Sequence, residues 1–239
     1  MMQTAFITGA DRGLGFALSA GLLGQGWRVL AGQYLPEWRD LTRLKEQYPD
    51  RLFPLSLNVT DAASVQKAAG AAGQITNQVD LLDNNAGVVT PTNLHSISDG
   101  LDYAEMQRVY DVNALGPLRV VESFLPLMAG SSLKRLCFVS SEAGSIERCT
   151  RTAWYGYCMS KAALNMAVKI LYNHLRHERY TFRLYHPGWM RSYMMGVKNM
   201  EAQFEPEEAA ANALPFFLTP MADEEQLALV DYEGNEWPW

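Results

Sequence analysis

Two runs of this sequence pair residue types with spacings that could do chemistry. In Thr8-Gly9-Ala10-Asp11-Arg12-Gly13-Leu14-Gly15 the glycines fall as Gly-x-x-x-Gly-x-Gly. Glycine lets a chain turn through conformations that a Cβ opposes, and lets backbone come close to a bound group. A helix starting here would offer free N–H groups and a favourable dipole to an anion such as a pyrophosphate. In Tyr157-Cys158-Met159-Ser160-Lys161 a phenol and an ammonium stand four residues apart, which makes them neighbours on one face of a helix. A phenol ordinarily ionises at a pH of about 10, and a fixed cation beside it favours the phenolate. The pair therefore predicts a tyrosine acidic enough to exchange a proton near neutrality. Taken alone, each run also fits a bland account: a tight strand-to-helix connection, and an incidental pair on a solvated helix face.

The elements that must position these residues are legible as an alternation of short apolar runs and longer stretches of helical period. Strand candidates are Ala5 to Ile7, Trp27 to Ala31, Leu52 to Leu57, Val79 to Leu82, Arg135 to Ser140 and Phe182 to Tyr185. Helical candidates are Phe16 to Gln25, closed by Gly26, then Trp38 to Gln47, Ala62 to Ala72, Tyr103 to Met128 with an interruption near Gly116-Pro117, and Tyr157 to His177. Such alternation predicts β-α-β units and a mostly parallel central sheet with helices on both faces, a doubly wound α/β fold of Rossmann type. Ligands of such sheets bind beyond the carboxyl ends of the strands, where strand order reverses. The glycine run sits where the first strand gives way to the first helix. No repeat, low-complexity tract or charge block marks a linker, so residues 1–239 read as a single domain. The tail from Glu205 carries Trp237 and Trp239 and is expected to pack down.

Composition narrows the function. The chain is 48% hydrophobic and 19% charged, as a globular protein is. Lys and Arg total 20 against 26 Asp and Glu, a net charge of −6, which supplies no general field for nucleic acid or anionic lipid. No apolar run approaches the roughly 18 residues of a membrane span, and Met1-Met2-Gln3-Thr4 opens no basic leader, so a cytoplasmic protein with no membrane partner is expected. Cys137, Cys149 and Cys158 lack disulfide or zinc spacing and read as small buried hydrophobes. His95, His174, His177 and His186 are scattered, so no metal is expected; His174 and His177 suit the negative end of a helix.

Three further runs in fixed order join the glycine turn. Asn84-Asn85-Ala86-Gly87 follows a strand, Ser140-Ser141 ends another, and Tyr157 to Lys161 opens a helix. With Asn113, the His186-Pro187-Gly188-Trp189 turn and the ending Asp231-Tyr232-Glu233-Gly234, the chain resembles the short-chain dehydrogenase/reductase family over nearly its whole length. The ending is most similar to the branch of carbonyl reductases of the sniffer and C-factor type. The resemblance implies an NAD(P)-dependent oxidoreductase that moves a hydride between a nicotinamide and a carbonyl or secondary alcohol. It implies Tyr157 as proton donor, Lys161 as the group that lowers its pKa and holds the nicotinamide ribose, Ser141 as hydrogen-bond donor to the substrate carbonyl, and Asn113 as part of a water-linked proton path. Ser141 lies sixteen residues before Tyr157, a longer separation than the family's usual one. Ser140 would point to the other face of the strand end, and Tyr155 is rejected because Met159, not lysine, stands four residues on.

For the cofactor, the resemblance implies contacts from Thr8, Gly9, Asp11, Arg12, Gly13, Leu14 and Gly15. It adds Asn58 and Val59 beside the adenine, Asn85, Ala86 and Gly87 near the adenosine ribose, Tyr157 and Lys161, and Pro187, Gly188 and Ser192 on the nicotinamide side. The second strand runs out through Ala31-Gly32-Gln33-Tyr34, with neither the acid that receives a free ribose hydroxyl nor an arginine for a phosphate. Arg12 is the best basic candidate and leans towards NADP, with NAD as the alternative. Residues 189–214, rich in Met190, Met194, Met195, Met200 and Phe204, would form a substrate lid hinged at Met195-Gly196 and would take a hydrophobic carbonyl compound. The alternatives are a dinucleotide sensor without turnover and an interaction module that pairs through the helices from Tyr103 and Tyr157. A homodimer or homotetramer suits either.

Overall fold

The computed structural model describes residues 2–221 and 224–239. Its layering follows from the pleat of the strands: in β1 (Thr4–Ile7), Ala5 and Ile7 project to one face and Phe6 to the other. β1 sits in the middle of one sheet with β2 (Arg28–Gln33), β3 (Leu52–Ser56), β4 (Leu81–Asn84), β5 (Arg135–Val139), β6 (Thr181–His186), β7 (Leu229–Asp231) and β8 (Glu236–Trp237). The order is β3-β2-β1-β4-β5-β6-β7-β8, parallel up to β7, with β8 returning antiparallel. The helices are α1 (Gly13–Gly24), α2 (Asp40–Gln47), α3 (Ala62–Ile75), α4 (Tyr103–Tyr110), α5 (Gly116–Met128), α6 (Tyr155–Leu175) and α7 (Pro206–Leu218).

α3, α5 and α6 cover the face of Phe6, Leu82, Phe138 and Leu184, where Phe6 stacks on Phe124 at 4.0 Å. α1, α2 and α7 cover the face of Ile7, Val29, Val139 and Tyr185. Each fully buried large side chain adds roughly 1.5–3 kcal/mol, and the two layers hold the strand ends rigidly enough to carry a site. The chain winds outward from β1 to β3 and then crosses back to β4, so strand order reverses between β1 and β4. The expected doubly wound architecture is thus the one observed. Both edges are blunt: β3 carries Pro54, opposite Ala31 of β2, and β8 is two residues long.

Several boundaries differ from the sequence reading. α1 starts at Gly13 rather than Phe16, and α6 at Tyr155 rather than Tyr157. The interruption near Gly116 is a π-turn over Asp111–Leu115; α5 then begins at Gly116, where a Cβ would come within 2.9 Å of Val59. β7, β8 and α7 are additional. Of residues 189–214, the part up to Glu205 is loop, and the remainder belongs to α7, which buries Ala209, Ala210, Ala213 and Leu214. The tail packs as expected: Trp237 Nε1 donates to Asp231 Oδ2 at 2.9 Å, and Glu147 N to Trp239 O at 3.0 Å. The cysteines need correction. Cys137 is buried, but Cys149 is exposed and Cys158 half-buried, because the loop before α6 carries Cys149 out over the surface. Among the described residues no helix is long and apolar enough to cross a membrane.

Candidate active site

At the carboxyl end of β1 the glycine turn takes the shape its spacing requires. Gly9 and Gly13 have φ of +62° and +58°, and a Cβ on Gly15 would lie 2.4 Å from the Gly9 oxygen and 2.5 Å from Asn85 Nδ2. α1 follows without a side-chain cap, so its first N–H groups are available to an anion. Two expected contact residues build the turn itself. Thr8 Oγ1 accepts from Asn85 N at 3.0 Å and Ala86 N at 2.9 Å, while Asn85 Nδ2 donates to Thr8 O and Gly9 O at 2.9 and 3.2 Å. Asp11 Oδ1 accepts from Tyr34 N at 2.7 Å, tying the turn to the end of β2, and burial raises its pKa. Arg12 lies over the ring of Trp38 at 4.9 Å, with Tyr193 of the following loop edge-on to Trp38 at 5.0 Å. Asn58 Oδ1 accepts from Thr60 N and Oγ1 at 3.1 and 2.8 Å, and Val59 packs against Gly116. The uncapped helix start and a turn too tight for any Cβ at Gly15 fit the pyrophosphate of a dinucleotide.

Beside this turn the other elements bring their polar residues together. Ser140 Oγ donates to Asn165 Oδ1 at 2.6 Å and so faces into α6, whereas Ser141, also buried, hydrogen-bonds on the side of Tyr157 and accepts from Ala143 N at 3.1 Å. Tyr157 stands in the first turn of α6; Lys161, one turn along and 3% exposed, places Nζ 5.7 Å from the phenol ring and donates to Val139 O at 2.9 Å. Asn113, in the π-turn, accepts from Val88 N at 2.8 Å and donates to Val88 O at 2.9 Å and Ser160 Oγ at 3.0 Å. A Cβ on Gly87 would stand 3.5 Å from Asn113 Oδ1 and 3.7 Å from Lys161 Nζ, so three separate segments meet at that point. Tyr155 instead borders a small hollow with Thr90, His95 and Met106.

The electrostatics correct one expectation. The Tyr157 phenol is not lowered but pushed up to about 12, first by burial and then by the charge of Glu142, against the opposing pull of Ser141 and Arg151. Lys161 is itself brought down to about 8 by burial. Its ammonium is turned to the Val139 carbonyl rather than to the phenol oxygen, and desolvation of a phenolate is the larger effect.

Four residues that sequence reasoning passed over shape the site. Glu142 accepts hydrogen bonds from Ser141 Oγ and, at 2.7 Å, from Ala143 N, while Arg151 Nη2 grips its other oxygen. Burial opposes ionisation of Glu142, but the bonds from Ser141 and Arg151 outweigh it and hold its pKa low. Arg151 lies 5.7 Å from the ring of Trp154, which meets Tyr157 edge-on at 5.9 Å. Trp154, in the left-handed region at φ +70°, donates its N–H to Asn93 O at 2.8 Å, and Asn93 Oδ1 accepts from Tyr157 N at 3.2 Å. The one available signal was the acid directly after Ser141. Across the cleft, Gly188 has φ +78° and leaves no room for a Cβ, which would fall 2.8 Å from Phe204 and Tyr232. Pro187 is buried beside it. Ser192 N donates to Met190 O at 2.8 Å in the loop that follows. That loop is pinned where Arg191 and Lys198 both reach Glu205, at 3.0 and 2.8 Å.

Comparisons with known proteins agree with this geometry. A family model for short chain dehydrogenases matches residues 3–203. The C-signal protein of Myxococcus xanthus is 38% identical over 171 residues, a match that takes in 72% of this chain and 99% of that protein. The NADPH-bound carbonyl reductase from chicken fatty liver superposes with a TM-score of 0.88 at 26% identity, over 100% of this chain and 99% of that one. Carbonyl reductase Sniffer of D. melanogaster, 24% identical with both chains fully covered, shares the fold at a TM-score of 0.88. A first strand that hands over to a glycine turn, and a helix that carries tyrosine and lysine beside it, therefore belong to a member of the short-chain dehydrogenase/reductase family, an oxidoreductase.

Proposed function

We propose that this protein reduces a hydrophobic ketone or aldehyde with NADPH, and in reverse oxidises the secondary alcohol. The observation that carries the reading is the convergence of Tyr157, Lys161, Asn113 and Gly87 beside the uncapped start of α1. When bound, the cofactor supplies the hydride. Its pyrophosphate would lie on the N–H groups of Gly13 to Gly15, and its nicotinamide side would meet Pro187, Gly188 and Ser192. Arg12, held over Trp38, would face the adenosine end and favour a phosphate there; NAD is the alternative. The NADP(H) preference is supported by the NADPH carried by the chicken carbonyl reductase.

Like any phenol, Tyr157 is protonated at neutral pH, and burial pushes its pKa further up to about 12; a protonated phenol is what carbonyl reduction needs as negative charge grows on the substrate oxygen. Ser141 donates a second hydrogen bond to that oxygen. Lys161 would hold the ribose hydroxyls, and its ammonium, when turned from Val139 towards the phenol, would favour release of the phenolic proton. Asn113 keeps the 86–88 segment and α6 in register and leads a water path towards Lys161. The loop from Trp189 to Phe204 covers the substrate, with Gly196, φ +88°, as a hinge. Exposed Tyr103, Tyr110, Met159, Met166 and Ile170 on α4 and α6 offer a face for pairing as a homodimer, or as half of a homotetramer. We assign the protein to the cytoplasm, where thiols such as the exposed Cys149 stay reduced.

NADPH oxidation with a panel of aromatic ketones and aldehydes tests the reading. Tyr157→Phe is expected to lose roughly 100-fold or more in kcat while keeping its thermal shift with NADPH. Equal rates in both proteins would reject Tyr157 as the acid, and a larger shift with NADH than with NADPH would reverse the cofactor preference. No turnover of any carbonyl, together with retained NADPH binding, would favour the sensor.

A further inference from the structure

The proton of Ser141 is already committed. Its hydroxyl donates to Glu142 Oε2 and accepts from Ala143 N at 3.1 Å, and Ala143 N also reaches Glu142 Oε2 at 2.7 Å. Glu142 is held from behind by Arg151, both side chains are partly exposed, at 27% and 34%, and the carboxylate stands near enough to Tyr157 for its charge to raise the phenol's pKa. A serine has one proton to give. To donate to a substrate carbonyl, Ser141 must therefore turn away from Glu142, and that leaves a fixed negative oxygen without one of its two donors. An acceptor stripped of a partner in a half-buried site is penalised unless something replaces the donor.

We infer that Glu142 is a second polar anchor of the substrate pocket, accepting a hydrogen bond from a hydroxyl or amino group on the carbon next to the reacting carbonyl. This rests on the reductase reading above and names its substrate class. The match is one of spacing: the two oxygens of an α-hydroxy ketone are separated by about as much as a hydrogen-bonded pair, which is the relation of Ser141 Oγ to Glu142 Oε2. On binding, the Ser141 O–H turns from Glu142 to the carbonyl oxygen and keeps its proton, and the substrate hydroxyl donates to Glu142 in its place. Every donor stays paired. A plain ketone of equal size makes the first contact and breaks the second. Arg151 fixes Oε1, which leaves Oε2, the oxygen that Ser141 now holds, to receive the substrate hydroxyl.

The test compares α-hydroxyacetophenone with α-methoxyacetophenone, which differs in lacking the donor, using NADPH and the full-length protein. Wild type is expected to favour the hydroxy compound in kcat/KM by roughly tenfold to a hundredfold, the range for a hydrogen bond to a charged group, with most of the difference in KM. Glu142→Gln and Glu142→Ala are expected to bring that ratio towards one, and Glu147→Gln, an exposed acid in the same loop, to leave it as in wild type. The Gln variant preserves size and the Ala143 contact, and its thermal shift with NADPH establishes that it is folded. A wild-type ratio near one, or a ratio unchanged in both Glu142 variants, overturns the anchor while ketone turnover keeps the reductase reading. Absence of turnover with either compound and with the wider carbonyl panel overturns both.

Discussion

Asp83 illustrates at the residue scale how burial alone can set a pH dependence. It lies inside β4, opposite Ile7 of β1 and Cys137 of β5, 1% exposed, with both carboxyl oxygens buried and without a hydrogen-bond partner, and burial pushes its pKa from the ordinary 3.8 up to about 8. Between these two values the folded chain keeps a proton that the unfolded chain has released. Stability therefore falls as pH rises through that window. Asp83→Asn, which cannot ionise, is expected to flatten the slope and raise Tm at pH about 7.5 by at least roughly 2–4 °C, the response of a domain this size to about 1 kcal/mol. Melting curves from pH about 5 to 8 check it, and a slope identical to wild type would refute it. The sequence could not disclose this, because an aspartate ahead of Asn84-Asn85 reads as polar whatever surrounds it. Tyr157 and Lys161 were legible from spacing, yet the direction of the phenol's shift was not; it depends on burial and on where the ammonium points. Glu142 stood next to Ser141 in plain view, but its hold on the serine needs Arg151, which only the folded loop delivers.

At the scale of elements, the turn between β1 and α1 was readable because its requirement is local. Gly15 makes the point sharply: its missing Cβ would strike backbone at 2.4 Å, and backbone held between a strand and a helix has little freedom to move. Gly15→Ala should cost about 1–3 kcal/mol of stability and abolish the thermal shift with NADPH; a stable variant with normal cofactor binding would contradict the account. Less local elements escaped. β7 and β8 are three and two residues long, too short to display a period, and exist because β6 and the Asp231 turn support them. α7 did leave a signal, with Pro206 in its first turn and Glu205 and Glu208 in a reciprocal cap. The methionine-rich run from Met190 to Met200 drew attention to a lid over 189–214 instead.

For the whole molecule, the mostly parallel, doubly wound sheet was implied by alternation, whereas the proposed pairing surface was only hinted at. Met159, Met166 and Ile170 recur along α6 and are 55–62% exposed, beside Tyr103 at 66% and Tyr110 at 42% on α4. An apolar stripe of that extent on two adjacent helices suits the pairing face proposed above. Light scattering after gel filtration should give a dimer or a tetramer, and Met166→Lys with Ile170→Glu should give a monomer that still folds; a monomeric wild type would remove the assignment. The two blunt borders of the sheet bear on the same question from another side. Pro54 has no N–H to offer a newcomer, and the two residues of β8 present too little ladder for one to climb. Growth of this protein by stacking strand on strand is closed at both margins, so crowding should drive it to a finite cluster joined through its helices and never to a fibre.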